Sequence, residues 1–109
     1  MLLKRTRIDV YVPEKKNKVY ERLRKAIENE FVFTFGGCTV IEGVRGLYLR
    51  SGEKPEKDRI TRVYADMPFS LEDQRKVITA YADSLREVAA ETIPEQSILV
   101  TVEEIYHSL

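Results

Sequence analysis

The sequence has very little cysteine, histidine or tryptophan and no surplus of positive charge. Its 109 residues include one cysteine, one histidine and no tryptophan, and the formal net charge is zero. One cysteine excludes an intramolecular disulfide, and one cysteine with one histidine falls short of a structural zinc site. Zero net charge argues against nucleic acid as the main partner, because phosphate binding requires a basic surplus. We therefore expect no metal, no cofactor and no nucleic acid.

Long apolar runs are also missing. No stretch approaches the length of a membrane span, and the first ten residues, MLLKRTRIDV, lack the apolar segment of a signal peptide. Apolar residues make up 43% and charged residues 33%, which is typical of a folded chain rather than a disordered one. We predict a cytoplasmic protein without membrane contact, folded as a single domain over residues 1–109.

Charge is unevenly distributed along the chain. Residues 1–30 contain nine Lys or Arg and five Asp or Glu, whereas the remainder contains nine and thirteen. The basic outward face of the first predicted helix carries Lys18, Arg22 and Lys25. This helix and the more acidic second half can pair within one molecule or between copies, or they can form a solvated surface of mixed charge.

Three segments are predicted to be strands. Arg7–Val12 and Ile60–Met67 alternate between apolar and other side chains, as half-buried strands do. Ile98, Val100 and Val102 indicate the last strand, and Ile105–Leu109 is predicted to be a short tail.

Two segments have the apolar spacing of helices. The first runs from Lys16 to Phe31. The second begins at Ser70, with Asp73 three residues later in a box-like N-cap. Its apolar stripe consists of Val77, Ile78, Tyr81, Leu85, Val88 and Ala89.

All five glycines lie between residues 36 and 52. We interpret this segment as a strand that is kinked or split near Gly43–Gly46, followed by a polar hairpin loop at Ser51–Asp58. The glycines follow a helix and lead into a strand, which is the reverse of a dinucleotide-binding fingerprint. Two readings stay open: a helix C-cap at Gly36 or Gly37 with strand bulges, or backbone N–H groups open to a small anion or another subunit.

The order strand, helix, strand, strand, helix, strand predicts an α+β fold, a ferredoxin-like two-layer sandwich (βαββαβ). Its four-stranded antiparallel sheet has both helices on one face, with the first and third strands in the centre. We call the other side of the sheet the open face. Asp9 and Thr101 are expected there, together with the candidate ligand-binding residues Tyr11, Tyr48, Arg50, Arg62, Tyr64 and Asp66.

The open face has three interpretations: self-association, plain solvent contact or a ligand pocket. RNA binding is disfavoured, because the sequence motif of aromatic sheet-face RNA binders is absent and Asp9 and Asp66 would repel phosphate. A nucleophilic pair of Cys38 and His107 is disfavoured as well, and we predict no catalytic residue and a slow-reacting thiol.

The layout of the chain resembles the PII-like regulatory proteins. In that family a loop between the second and third strands reaches nucleotide sites at the subunit clefts of a trimer, and Ser51–Asp58 would stand for that loop. The segment GGCTVIEGVRGLYL is also similar to a segment of small uncharacterised bacterial proteins of the same fold. The resemblance concerns layout and includes no nucleotide-binding motif, so no functional residue is transferred.

Two functions follow as expectations. The first is a small homo-oligomeric module, dimeric or trimeric, that regulates or binds a small molecule. The alternative is a small cofactor-independent enzyme of the dimeric α/β-barrel type, with candidate residues Tyr48, Arg62, Tyr64 and Asp66. A deep pocket with a convergent acid and base favours the enzyme, and a flat tyrosine-rich face favours the module.

Overall fold

The computed structural model describes residues 1–49, 54–95 and 97–108. Along the chain it has β1 (Leu2–Pro13), α1 (Lys18–Phe35), β2 (Thr39–Leu49), β3 (Pro55–Met67), α2 (Arg75–Thr92) and β4 (Leu99–Ser108). All strand pairs are antiparallel, in the order β2-β3-β1-β4. The predicted ferredoxin-like α+β fold is confirmed, with β1 and β3 in the centre of the sheet.

The core lies between the sheet and the helices, as the alternation predicts. Ile8 and Val10 on β1 and Val63 on β3 are fully buried against the helix layer. Helix α1 contributes residues spaced by three or four positions, which places them on one helical stripe. These are Tyr20, Leu23, Ile27 and Phe31.

Both ends of α1 have local causes. The Asn17 side chain accepts a hydrogen bond from the backbone N–H of Val19 at 3.0 Å and caps the helix start. At the other end Gly36 has φ 84°, a left-handed conformation that favours glycine, and its N–H donates to the Val32 carbonyl. The predicted C-cap at Gly36 is thus confirmed, and the helix ends one turn later than the predicted end at Phe31.

Helix α2 begins later than predicted, and fewer of its apolar residues are buried than predicted. It begins at Arg75 rather than Ser70. The Ser70 hydroxyl oxygen accepts a hydrogen bond from the Asp73 N–H in the turn that precedes the helix. Ile78 and Ala89 are buried as predicted, but Val77 and Val88 are 59% and 54% exposed. The predicted apolar stripe is wider than the part of a helix that touches the sheet.

Three strands are longer than predicted, and the first of them, β1, begins at Leu2 rather than Arg7. The tail prediction at Ile105–Leu109 is wrong over the described residues, because β4 continues to Ser108 by pairing with β1 as far as Leu2. The loop prediction at Ser51–Asp58 is wrong from Pro55 onward, where β3 already pairs with β2. Residues 51–53 of that loop lie outside the described residues.

The predicted kink in β2 is confirmed at Gly43. The pairing of β2 with β3 shifts register between Ile41 and Val44, and Gly43 has φ 69°. Pairing of β1 with β3 ends at Ile60, so residues 44–49 and 55–59 form a two-stranded ribbon beyond the central strand. Among the described residues no helix has the length and hydropathy of a membrane span.

Candidate functional site

Strand register places a polar cluster at the centre of the open face. Alternate residues of β1, β3 and β4 point away from the helices, and register aligns them in rows across the sheet. Four of the predicted ligand-binding residues, Tyr11, Arg62, Tyr64 and Asp66, share this face. Their neighbours there are Arg7, Asp9, Thr101, Glu103 and His107.

Two arginine–aspartate pairs tie β1 to β3. Arg7 donates from Nε to Asp66 Oδ1 at 2.7 Å and from Nη2 to Oδ2 at 3.1 Å, a bidentate arrangement. Arg62 donates from Nε to Asp9 Oδ1 at 2.6 Å. The hydrogen bonds from Arg7 lower the pKa of Asp66, and His107, whose Nε2 lies 3.2 Å from Asp66 Oδ2, adds to this effect.

Tyr64 lies beneath both arginines. The guanidinium carbons of Arg7 and Arg62 are 4.2 and 4.6 Å from the centre of its ring, within the range of cation–π attraction. Asp9 is only 1% exposed although no helix covers this face, and the Thr101 hydroxyl donates to it at 3.4 Å. The polar groups at the centre of the open face therefore satisfy one another.

Apolar side chains border this polar centre. Ile41 pairs with Arg62 on β3 and is 39% exposed, and Leu99 pairs with Tyr11 on β1 and is 56% exposed. Ile60, two residues before Arg62 on β3, is buried without belonging to the main core cluster. The open face is thus a charged, internally paired centre with an apolar margin.

The remaining predicted ligand residues are not part of the central cluster. Tyr48 pairs with Glu56 in the ribbon and is 42% exposed. Arg50 lies outside the described residues. Sequence reasoning missed Arg7, although it has the same strand parity as Asp9, and it missed His107 because that residue was assigned to a tail.

The glycine bulge holds a carboxylate of the chain itself. The Gly43 N–H donates to Glu14 Oε1 at 2.7 Å, the Thr61 hydroxyl donates to the same oxygen at 2.9 Å, and Arg59 Nε lies 3.6 Å from Oε2. The Gly43 hydrogen bond is the main cause that lowers the pKa of Glu14. At Gly43 the structure therefore supports a strand bulge rather than an open anion site, because the backbone N–H already donates to the Glu14 carboxylate.

A polar cleft of about 220 Å³ opens beside this bulge, between the end of β1 and the start of α1. Arg24 donates from Nη1 to Glu42 at 3.0 Å across its wall, and Lys15 Nζ lies 3.6 Å from Asp58. Its lining also includes Glu14 and Tyr20. The cleft offers charges of both signs to a small polar molecule.

Cys38 and His107 do not meet. Cys38 packs against the core cluster, and burial raises the pKa of its thiol. His107 contacts Asp66 on the open face. Within the described residues no group of three or more His, Cys, Asp or Glu side chains is arranged to hold a metal ion.

No family model matches the chain, and no curated protein matches it in sequence. Solved structures do match its fold. One is CPII, a nitrogen regulatory PII-like protein from Thiomonas intermedia bound to ADP, AMP and bicarbonate, with TM-score 0.56, 13% identity and coverage of 100% of this chain and 98% of CPII. Another is the divalent cation tolerance protein CutA1 from Thermus thermophilus, with TM-score 0.52, 15% identity and coverage of 96% and 84%. At these identities the similarity concerns the fold, so the chain has the fold of PII-like and CutA1 proteins over nearly its whole length.

Proposed function

We propose that the protein is a small regulatory module without catalytic activity, which assembles with further copies through its open face and binds a small ligand. The observation that carries this proposal is the construction of the open face. The charges at its centre are paired within one molecule, and its margin exposes apolar side chains. Such a surface is suited to burial against another protein surface.

The energetics of burial support this assignment. Burying an unpaired charge is costly, but Asp66 and Asp9 already have arginine partners and bring no new unpaired carboxylate into an interface. The exposed area of Ile41 and Leu99 is removed from water on association. Arg5, which shares this face, has a buried Nε without an acceptor among the described residues, and an acceptor on a second copy would satisfy it.

The enzyme alternative has less support. A general acid needs a raised pKa, whereas the Arg7 hydrogen bonds lower the pKa of Asp66. Arg62 donates a hydrogen bond to Asp9, and its guanidinium lies over the ring of Tyr64. Tyr48 lies apart in the ribbon. Three of the four candidate groups therefore share the open face but are engaged with neighbouring side chains, which leaves no free acid and base among these three described residues poised towards a substrate.

Light scattering on two variants tests the assembly. Leu99→Glu places a charge on the margin of the open face, and we expect it to convert an oligomer into a monomer. Tyr106→Glu is the matched control, because Tyr106 is equally exposed at 56% on the same strand but pairs with Lys4 and points to the helix side. A monomeric wild type, or an oligomer that Leu99→Glu leaves intact, contradicts assembly through the open face.

Calorimetry tests the ligand. Because CPII is bound to ADP, AMP and bicarbonate, these three compounds are the probes for this chain. We expect saturable binding of at least one, weakened by Arg24→Ala in the polar cleft and unchanged by Arg86→Ala on the exposed surface of α2. Absence of heat with all three contradicts a PII-like ligand and leaves the assembly to be judged by the scattering experiment.

A further inference from the structure

An apolar groove separates the two helices on the outer side of the helix layer. Its volume is about 280 Å³, and Glu30 and Ser84 are the polar members of its lining. The Tyr81 hydroxyl donates to Glu30 Oε1 at 3.1 Å and bridges α1 to α2 at one end. The apolar lining consists of Leu23, Ala26, Ile27, Leu85 and Val88, with the ring of Tyr81.

Apolar surface continues along the groove on α2. Val88 in the lining is 54% exposed, and Val77, one turn before Tyr81, is 59% exposed. Both residues belong to the predicted apolar stripe but are not covered by the sheet. An apolar strip of this kind on the outer side of a helix pair is typical of a surface that binds another helix.

The two banks of the groove carry opposite charge. The outward face of α1 is basic, with exposed side chains spaced by four and three residues at Lys18, Arg22 and Lys25. The second half of α2 presents an acidic row, with exposed side chains spaced by four residues at Asp83, Glu87 and Glu91, while exposed Lys76 lies on the same side near the start of the helix. This spacing places each set on one side of its helix.

The two sets of charges lie on neighbouring helices, and most of these residues form no ion pair in the described part of the chain. The strands β1 and β3 are antiparallel, so the helices that follow them are antiparallel too, and the start of α1 lies beside the end of α2. Lys25 pairs with Glu21 within α1 at 3.1 Å. Within the part of the chain that the structure describes, no ion pair engages Lys18, Arg22, Asp83, Glu87 or Glu91.

We propose that this groove binds one amphipathic helix of a partner protein, acidic along the flank that faces α1 and basic along the flank that faces α2. The apolar stripe of that helix, at a spacing of three and four residues, fills the groove between Leu23 and Leu85. Its two charged flanks pair with the free charges on the banks, which also determines the direction in which the helix lies.

A helix of another protein fits better than a second copy of this chain. If the open face joins two copies, as proposed above, a second self-complementary face on the opposite side would have a two-fold axis that does not meet the first, so copies would add in a row instead of forming a closed assembly. This step rests on the proposed function. A helix of a different protein fills the groove without creating an open-ended assembly.

The test uses the full chain and a designed, fluorescein-labelled helical peptide of about 18 residues, or five turns. The peptide carries a leucine stripe with glutamates on one flank and lysines on the other. Fluorescence anisotropy at low salt should show saturable binding, weakened at least about tenfold by Val88→Glu and by Ala26→Glu in the groove lining. Val32→Glu is the matched control, since Val32 is 52% exposed on α1 outside the lining, and it should bind as the wild type does.

A charge exchange separates recognition from structural damage. Arg22→Glu should weaken binding of the same peptide, and a peptide in which only the glutamate opposite position 22 is replaced by lysine should restore it for this variant. Failure of the wild type to bind, or equal binding by Val88→Glu, overturns the proposal. Self-association that Val88→Glu abolishes and Leu99→Glu preserves also overturns it, because a second copy then occupies the groove. Loss of assembly in Leu99→Glu alone shows that copies join through the open face and leaves the groove proposal standing.

Discussion

Glu14 connects three elements through one carboxylate. It follows β1, accepts hydrogen bonds from Gly43 of β2 and Thr61 of β3, and its own N–H donates to the Arg59 carbonyl at 2.8 Å. The glycine cluster predicts the bulge, but no pattern in the sequence connects it to a side chain 29 residues earlier. The position of Glu14 is decided by the fold, because only sheet formation brings the end of β1 to the bulge.

The first prediction concerns the pH dependence that follows from Glu14. Its pKa is lowered in the folded protein, so its carboxylate stabilises the fold above its ordinary pKa of about 4 and loses that effect as the pH falls through the lower folded value. We expect Glu14→Gln to reduce stability at neutral pH and to flatten the loss of stability on acidification. Urea unfolding of both proteins from neutral to acidic pH measures this, and parallel curves contradict it.

The second prediction concerns the thiol of Cys38. Burial raises its pKa, and less thiolate at neutral pH means a slower reaction. We expect labelling by a disulfide reagent to be slower in the native protein than in urea, and His107→Ala to leave the rate unchanged. A fast native reaction that depends on His107 would restore the discarded nucleophilic pair.

At the scale of elements, the end of α1 depends on one backbone conformation. Gly36 has φ 84°, which costs an L-residue with a side chain about 1–2 kcal/mol. Gly37 has no positive φ, and a Cβ at either glycine meets no atom within 4 Å. The difference between the two positions is therefore one of backbone conformation alone.

The third prediction uses this matched pair. Gly36→Ala should lower the free energy of unfolding by about 1–2 kcal/mol, whereas Gly37→Ala should change it little. Chemical denaturation of both variants makes the measurement. Equal effects would mean that the helix ends without a left-handed residue in solution.

At the scale of the whole molecule, stability is concentrated in the centre of the sheet. Strand β1 has partners on both sides, β3 and β4, and its residues Ile8 and Val10 are fully buried. The ribbon of residues 44–49 and 55–59 lies beyond β1, and isolated two-stranded ribbons are marginally stable in water. We therefore expect the backbone hydrogen bonds of the ribbon to open more often than those at the centre of the sheet.

The fourth prediction is the corresponding order of amide exchange. We expect hydrogen exchange to be slowest in residues 8–12 of β1 and much faster in residues 44–49 of β2. Mass spectrometry after proteolysis resolves the two segments. Equal protection in the ribbon would indicate that another chain covers it, and the same experiment on monomeric Leu99→Glu would then show whether that chain is a further copy.

The local pattern of the sequence determined the architecture. Alternation in Arg7–Val12 and Ile60–Met67 is sufficient to identify the two central strands and their buried faces, because a strand has a period of two whatever its partners are. Helical spacing likewise identified Leu23, Ile27 and Phe31 of the buried stripe of α1, although it did not include Tyr20 and counted the exposed Ala26. The glycines predicted a cap at Gly36 or Gly37 and a kink near Gly43–Gly46, and the structure has the positive φ angles at Gly36 and Gly43.

Long-range pairing decided the rest. Strand β4 extends to Ser108 because β1 offers partners as far as Leu2, which no property of the tail itself indicates. The parity of the strands placed Tyr64 on the open face, but only the folded sheet brought Arg7 over its ring and Asp66 into a bidentate pair. Val77 and Val88 belong to an apolar stripe by sequence, and their exposure follows from how narrowly a helix contacts a sheet, which is a property of tertiary packing rather than of helical periodicity.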